Sequence, residues 1–153
     1  MLTRPFLLGF TLCAMLPAAD LDTDLRALLT QQVAALTTDQ AVAMTTAQVA
    51  ALTTDQAAAL TTGQVKALLT AAVAALTTSA LSVMSSSQLR ALSTAQIAAL
   101  TSAQVPSMLP SQVAALQTSQ IVAIEDADVA RMTTAQICGM STEQVAALRE
   151  AQI

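Results

Sequence analysis

The chain has 153 residues, of which 54% are hydrophobic, 1% aromatic and 10% charged, with no His, Tyr or Trp and a net charge of −4. Without His, the commonest general base and metal ligand are missing, and without aromatic rings there is no platform on which bases or sugars stack. The acidic balance argues against nucleic acid as a partner.

Residues 1–19 read as a secretory signal peptide. Arg4 gives a positive start, Phe6, Leu7, Leu8, Phe10, Leu12, Met15 and Leu16 lie in an uncharged run, and the small residues Ala18 and Ala19 precede Asp20. The run is short for a bilayer span, which takes about 20 residues. A hydrophobic cap on the rest of the chain is the other reading of this segment. Both Phe and Cys13 lie within it, and its removal leaves Cys138 as a single thiol. In an alanine-rich helix that thiol is expected to be a small buried group.

From Leu21 the chain falls into octads, as in Thr45-Thr46-Ala47-Gln48-Val49-Ala50-Ala51-Leu52. Sixteen octads fill 21–148 without insertion or deletion, and a partial one runs on to Ile153. Position eight is always Leu, Met or Ile, and position five is Val, Ile, Leu or Ala. Position four is Gln in twelve octads, and position seven is Ala in twelve.

An octad does not suit one continuous helix. Eight residues at about 100° each overshoot two turns by about 80°, so the apolar stripe would wind around the axis. Strands are disfavoured by the Ala content and the scarcity of Gly and Asn for turns. The helix must therefore break and restart in every octad. Nine octads carry Ser or Thr at position one with Gln at position four, as in Thr37 with Gln40 and Thr53 with Gln56. That is capping-box spacing, with position one as N-cap. Pro110 at position two fits N1, whereas Pro106 at position six should kink or shorten its helix. Charge agrees: Asp22, Asp24, Asp39, Asp55, Glu125, Asp126, Asp128, Glu143 and Glu150 all stand at positions one to four. Four of the five bases in the octads, Arg26, Lys66, Arg90 and Arg131, stand at positions six or seven, as a helix dipole favours.

The expected unit is a helix of about seven residues, roughly 10 Å long. A helix this short is not stable alone, so positions five and eight must be buried against other units. The fold class is all-α, a solenoid of very short helices over 20–153. A longer period is also present. Leu29, Leu69 and Leu109 replace the cap at intervals of 40 residues. Duplication of a five-octad segment explains this without demanding any geometry; a superhelical turn of five helices is the alternative.

The TTxQVxAL octads resemble tandem octapeptide repeats of ALTTxQ type found in large secreted or surface-associated bacterial proteins. The resemblance implies an extracellular setting and a structural or adhesive role, and it carries no site residues. The end at Ile153, in mid-repeat, suggests a piece of a longer array or an array without a polar terminal cap.

No catalytic, cofactor-binding or metal residue is expected. Glu125, Asp126 and Asp128 invite a Ca²⁺ reading, but acids at a helix start explain them, and the same holds for Asp22 and Asp24. Ser85, Ser86 and Ser87 have no His to activate them. Lys66, the only lysine, reads as a solvated helix-end charge, and Met44, Met84, Met108, Met132 and Met140 read as core. Residues 67–89 carry no charge, but their recurring Ser and Thr argue against a membrane span. The reading is a non-enzymatic secreted, periplasmic or cell-surface scaffold, spacer or adhesion module. Its partner is a protein or surface, or a second copy joined end to end, and not nucleic acid. The alternative is an ice- or surface-binding protein that uses regular Thr rows.

Overall fold

A computed structural model of the chain describes residues 30–148. The signal-like segment 1–19, the cap at Leu29 and the acids Asp22 and Asp24 lie outside the described residues. Fifteen short helices succeed one another among the described residues: α1 (Thr30–Ala34), α2 (Thr38–Val42), α3 (Thr46–Ala50), α4 (Thr54–Ala59), α5 (Thr62–Ala67), α6 (Thr70–Ala74), α7 (Thr78–Val83), α8 (Ser86–Ala91), α9 (Thr94–Ala98), α10 (Gln104–Ser107), α11 (Pro110–Ala115), α12 (Thr118–Ala123), α13 (Asp126–Val129), α14 (Thr134–Gly139) and α15 (Thr142–Ala147). There is one helix per octad, and no strand among the described residues. Fourteen of the fifteen begin at position two, where the capping argument places N1.

The helices are shorter than the seven residues expected, running from four to six. Position one is extended, as at Thr53 with φ −72° and ψ 164°. Position eight is extended where it ends a helix, as at Leu60 with φ −58° and ψ 133°. These neighbours redirect the chain at ordinary negative φ, so the link needs no left-handed residue. An array of reversals is thereby built by a chain with three glycines.

The α10 helix is displaced. It starts at position four instead of two, and Ser102 and Ala103 form a turn. The cause is Pro106, which has no N–H to give the Ser102 carbonyl, so the second helical bond of that octad cannot form, although the first, from Val105 N–H to the Thr101 carbonyl at 3.2 Å, remains. The expected shortening therefore occurs at the front of the helix.

Every helix from α1 to α12 packs on the helix three further along the chain: α1 on α4, α2 on α5, and so on to α12 on α15. The superhelix thus brings octads into contact after three steps. Glutamine side chains hydrogen-bond to octads four steps away, as Gln88 does to Leu60. A turn therefore holds between three and four octads. This removes the five-helix turn as an account of the 40-residue spacing and leaves duplication.

Burial follows the octad. Positions four, five and eight are buried, as in Gln64, Val65 and Leu68, while positions one to three face solvent. One continuous core results, with Val33, Leu81, Leu89, Ile97 and Ile121 among its fully buried members. Met44, Met84, Met108 and Met140 join it at position eight, and Met132 packs against it. In the last two described octads position five is exposed, at Ile137 and Val145.

Candidate functional site

The nine sequence-predicted capping boxes are all formed. In each, the hydroxyl accepts from the backbone N–H of position four, and the Gln Oε1 accepts from the backbone N–H of position one. In the octad of Ser93 these distances are 3.2 Å and 2.7 Å. The others start at Thr37, Thr45, Thr53, Thr61, Ser85, Thr101, Thr133 and Ser141. Where position one lacks a hydroxyl, the returning half survives. The Leu109 N–H donates to Gln112 Oε1 at 2.7 Å, and the Gln117 N–H donates to Gln120 Oε1 at 2.9 Å.

The glutamine has a second bond that local spacing does not reveal. Its Nε2 crosses the superhelical groove and donates to the C-terminal carbonyls of the helix four octads earlier. Gln88 Nε2 lies 3.0 Å from the Ala57 carbonyl, 3.2 Å from Ala58 and 2.6 Å from Leu60. Gln64, Gln96, Gln104, Gln112, Gln120 and Gln144 repeat this arrangement, and Gln136 donates to the Val105 and Met108 carbonyls alone. A short helix leaves its last carbonyls without intrahelical donors, and here the amide of a later octad supplies one. One planar amide thus caps the N-terminus of its own helix and the C-terminus of another. The sequence holds a trace of this: a capping box explains Gln in a first turn, but not why Gln so outnumbers Glu at position four. Glu would cap locally and has no N–H to donate.

At Ala72, Ala80 and Asp128 position four holds no amide, so these octads cannot make the crossing bond. Ala72 and Ala80 are buried with the core. Asp128 is 5% exposed, whereas its neighbours Glu125 and Asp126 are exposed at the start of α13.

The remaining candidates are dispersed. Ser85 caps Gln88, and Ser86 and Ser87 lie beside it at the start of α8 without any general base. Lys66 is exposed in the last turn of α5. Cys138 is exposed, contrary to the expectation of burial. It occupies position six, which the superhelix turns outward, so its place in the octad outweighs the general tendency of free Cys to be buried. Among the described residues no group of three or more His, Cys, Asp or Glu is placed to hold a metal ion. No helix among them is long and apolar enough to cross a membrane.

The outward face is built from positions one to three. The position-one hydroxyls are engaged in capping, while at position two Thr38, Thr46, Thr54 and Thr62 are exposed. The exposed apolar residues include Leu69 and Leu109, which stand at the cap position of their octads.

No curated protein and no solved structure matches the chain. A family model does, and the description it carries is ALTTAQ repeat. It matches in tandem at residues 19–54, 42–70, 73–110, 83–118 and 121–153. The matches span most of the chain and coincide with the octads whose caps and crossing amides define the fold, and on that basis the chain belongs to the ALTTAQ repeat family.

Proposed function

We propose that this chain is a non-enzymatic secreted or cell-surface repeat protein that acts as a scaffold, spacer or adhesion module. One observation carries the reading: in octad after octad the polar groups are engaged in holding the array together. The position-one Thr and Ser hydroxyls cap, the glutamine amides cap twice, and the solvent face is mostly Thr, Ser and Ala. A solenoid built this way offers length and a repeated surface rather than a unique pocket. The signal-like 1–19 segment supports export. The test is to express the full chain with and without residues 2–19 in a bacterium and track its location. Export of the first form and retention of the second support the reading. Equal retention of both would count decisively against export.

A second reading has its own observation. Position-two threonines recur on the solvent face, as at Thr38, Thr46, Thr54 and Thr62, and capping does not employ their hydroxyls. Such a row suits binding to ordered water or a regular surface. Thermal hysteresis or ice shaping, lost on Thr→Val at those four positions, supports it. Unaltered ice growth in the presence of the wild-type chain rules it out.

A further inference from the structure

Asp128 stands where the fold asks for an N–H donor. At eight octads the position-four amide nitrogen lies 2.6–2.8 Å from the position-eight carbonyl four octads earlier. The same register sets Asp128 opposite the carbonyls of Ile97, Ala98 and Leu100 at the C-terminus of α9. A carboxylate has nothing to donate there, and oxygen faces oxygen at the negative end of a helix. Asp128 is more than nine-tenths buried. Among the described residues its side chain makes no hydrogen bond and no ion pair. Burying a charge in this way is unfavourable unless something compensates it.

Length points to what compensates it. Asp is one methylene shorter than Gln, so its oxygens stop about 1.5 Å short of the usual amide position. They then fall short of hydrogen-bond reach of the Leu100 carbonyl, and neither group has a proton to share. A cation that binds oxygen at about 2.3–2.6 Å spans such a gap. The donors are all oxygen, one carboxylate and main-chain carbonyls, which selects a hard cation. Carbonyls at a helix end do not form a regular octahedron, which favours Ca²⁺ over Mg²⁺. Glu125 and Asp126, exposed on the same octad, add negative potential around the entrance.

We propose that Asp128 and the main-chain carbonyls of Ile97, Ala98 and Leu100 form a Ca²⁺ site that replaces the crossing glutamine bond between α13 and α9. The ion ties the two octads as the amide does elsewhere, so this one crossing responds to calcium. The site is distinct from the exposed acids at the start of α13, which a helix dipole explains.

The test uses the full chain after treatment with a chelator. Thermal unfolding is monitored by circular dichroism with and without CaCl₂ up to about 10 mM, at matched ionic strength, a range that covers weak extracellular-type sites. Calorimetric titration with Ca²⁺ gives the stoichiometry. The expected results are one ion per chain and a Tm rise of about 4 °C at tenfold excess over Kd. D128Q abolishes the rise and restores the amide crossing, so its chelated Tm equals or exceeds that of the chelated wild type. D128N, which keeps the size of the side chain and removes its charge, also loses the rise and serves if D128Q does not fold. D126N keeps it. A wild-type Tm indifferent to Ca²⁺, or a rise that persists in D128Q or D128N, overturns the proposal.

Discussion

Gly63 occupies position three of its octad, where Thr61 caps the helix and Gln64 returns the bond. A Cβ there would meet Thr38 Cγ2 at 3.7 Å and Thr61 Oγ1 at 3.9 Å, ordinary contact distances, and the backbone is helical. Gly63→Ala should therefore stabilise the chain by about 0.5 kcal/mol, read as a higher urea midpoint at unchanged slope. The fold shifts the titration of Glu143. Its carboxyl is held below the usual range first by a bond from its own backbone N–H and then by the Ser141 hydroxyl. The folded pKa is thus depressed, so the contribution is present above the unfolded value and is lost as pH falls through the folded one. NMR titration should place Glu143 below an unstructured glutamate, and Ser141→Ala should move it upward. Residues of this kind were legible in advance, because caps and dipole effects act over three or four neighbours in sequence. Cys138 was not, because the direction that position six faces depends on how the helices stack.

At the scale of one element, each helix is too short to survive alone and is held at both ends. Ser93 and Gln96 separate the two holds. Ser93→Ala removes one hydroxyl acceptor and should cost about 1 kcal/mol. Gln96→Leu removes the acceptor for the Ser93 N–H and also the donor to the Val65 and Leu68 carbonyls, with an amide distance of 2.6 Å at Leu68. It should cost about 2–4 kcal/mol, because buried polar groups are left unpaired. Equal losses in the two variants would show that the crossing bond adds nothing, and denaturant titration distinguishes the cases. Pro106 offers the converse. Pro106→Ala restores an N–H opposite the Ser102 carbonyl, so α10 should lengthen toward position two and the chain should gain about 1 kcal/mol or more, seen as added helical ellipticity and a higher Tm. Helix starts other than that of α10 were readable to the residue, since cap and N1 chemistry is local. Helix ends were overestimated, because the exit through an extended position eight is imposed by packing.

At the scale of the molecule, each octad touches others three and four steps away and the core is continuous. Such an array adds stability by units. Deletion of residues 85–92 removes one whole octad and keeps the register of every contact across the gap. It should leave a cooperative helical protein, less stable by about 1 kcal/mol at typical per-residue stability. Insertion of a single residue at the same point shifts one side of the join out of phase and should cost several times more. Circular dichroism and urea melts of the two variants test this. The 40-residue spacing of Leu69 and Leu109 has no counterpart in the superhelix, whose turn is shorter, and both side chains are exposed.

The sequence by itself determined the octad, the point where each helix begins, the capping partners and the apolar positions five and eight. These depend on hydrogen-bond reach and helical periodicity within a few residues. Tertiary structure alone decided how many octads make a turn, which side of each helix is outermost, and what the far end of each glutamine binds. Those bonds join residues 28–31 positions apart. No local spacing encodes that distance, because it arises from the angle at which successive short helices pack.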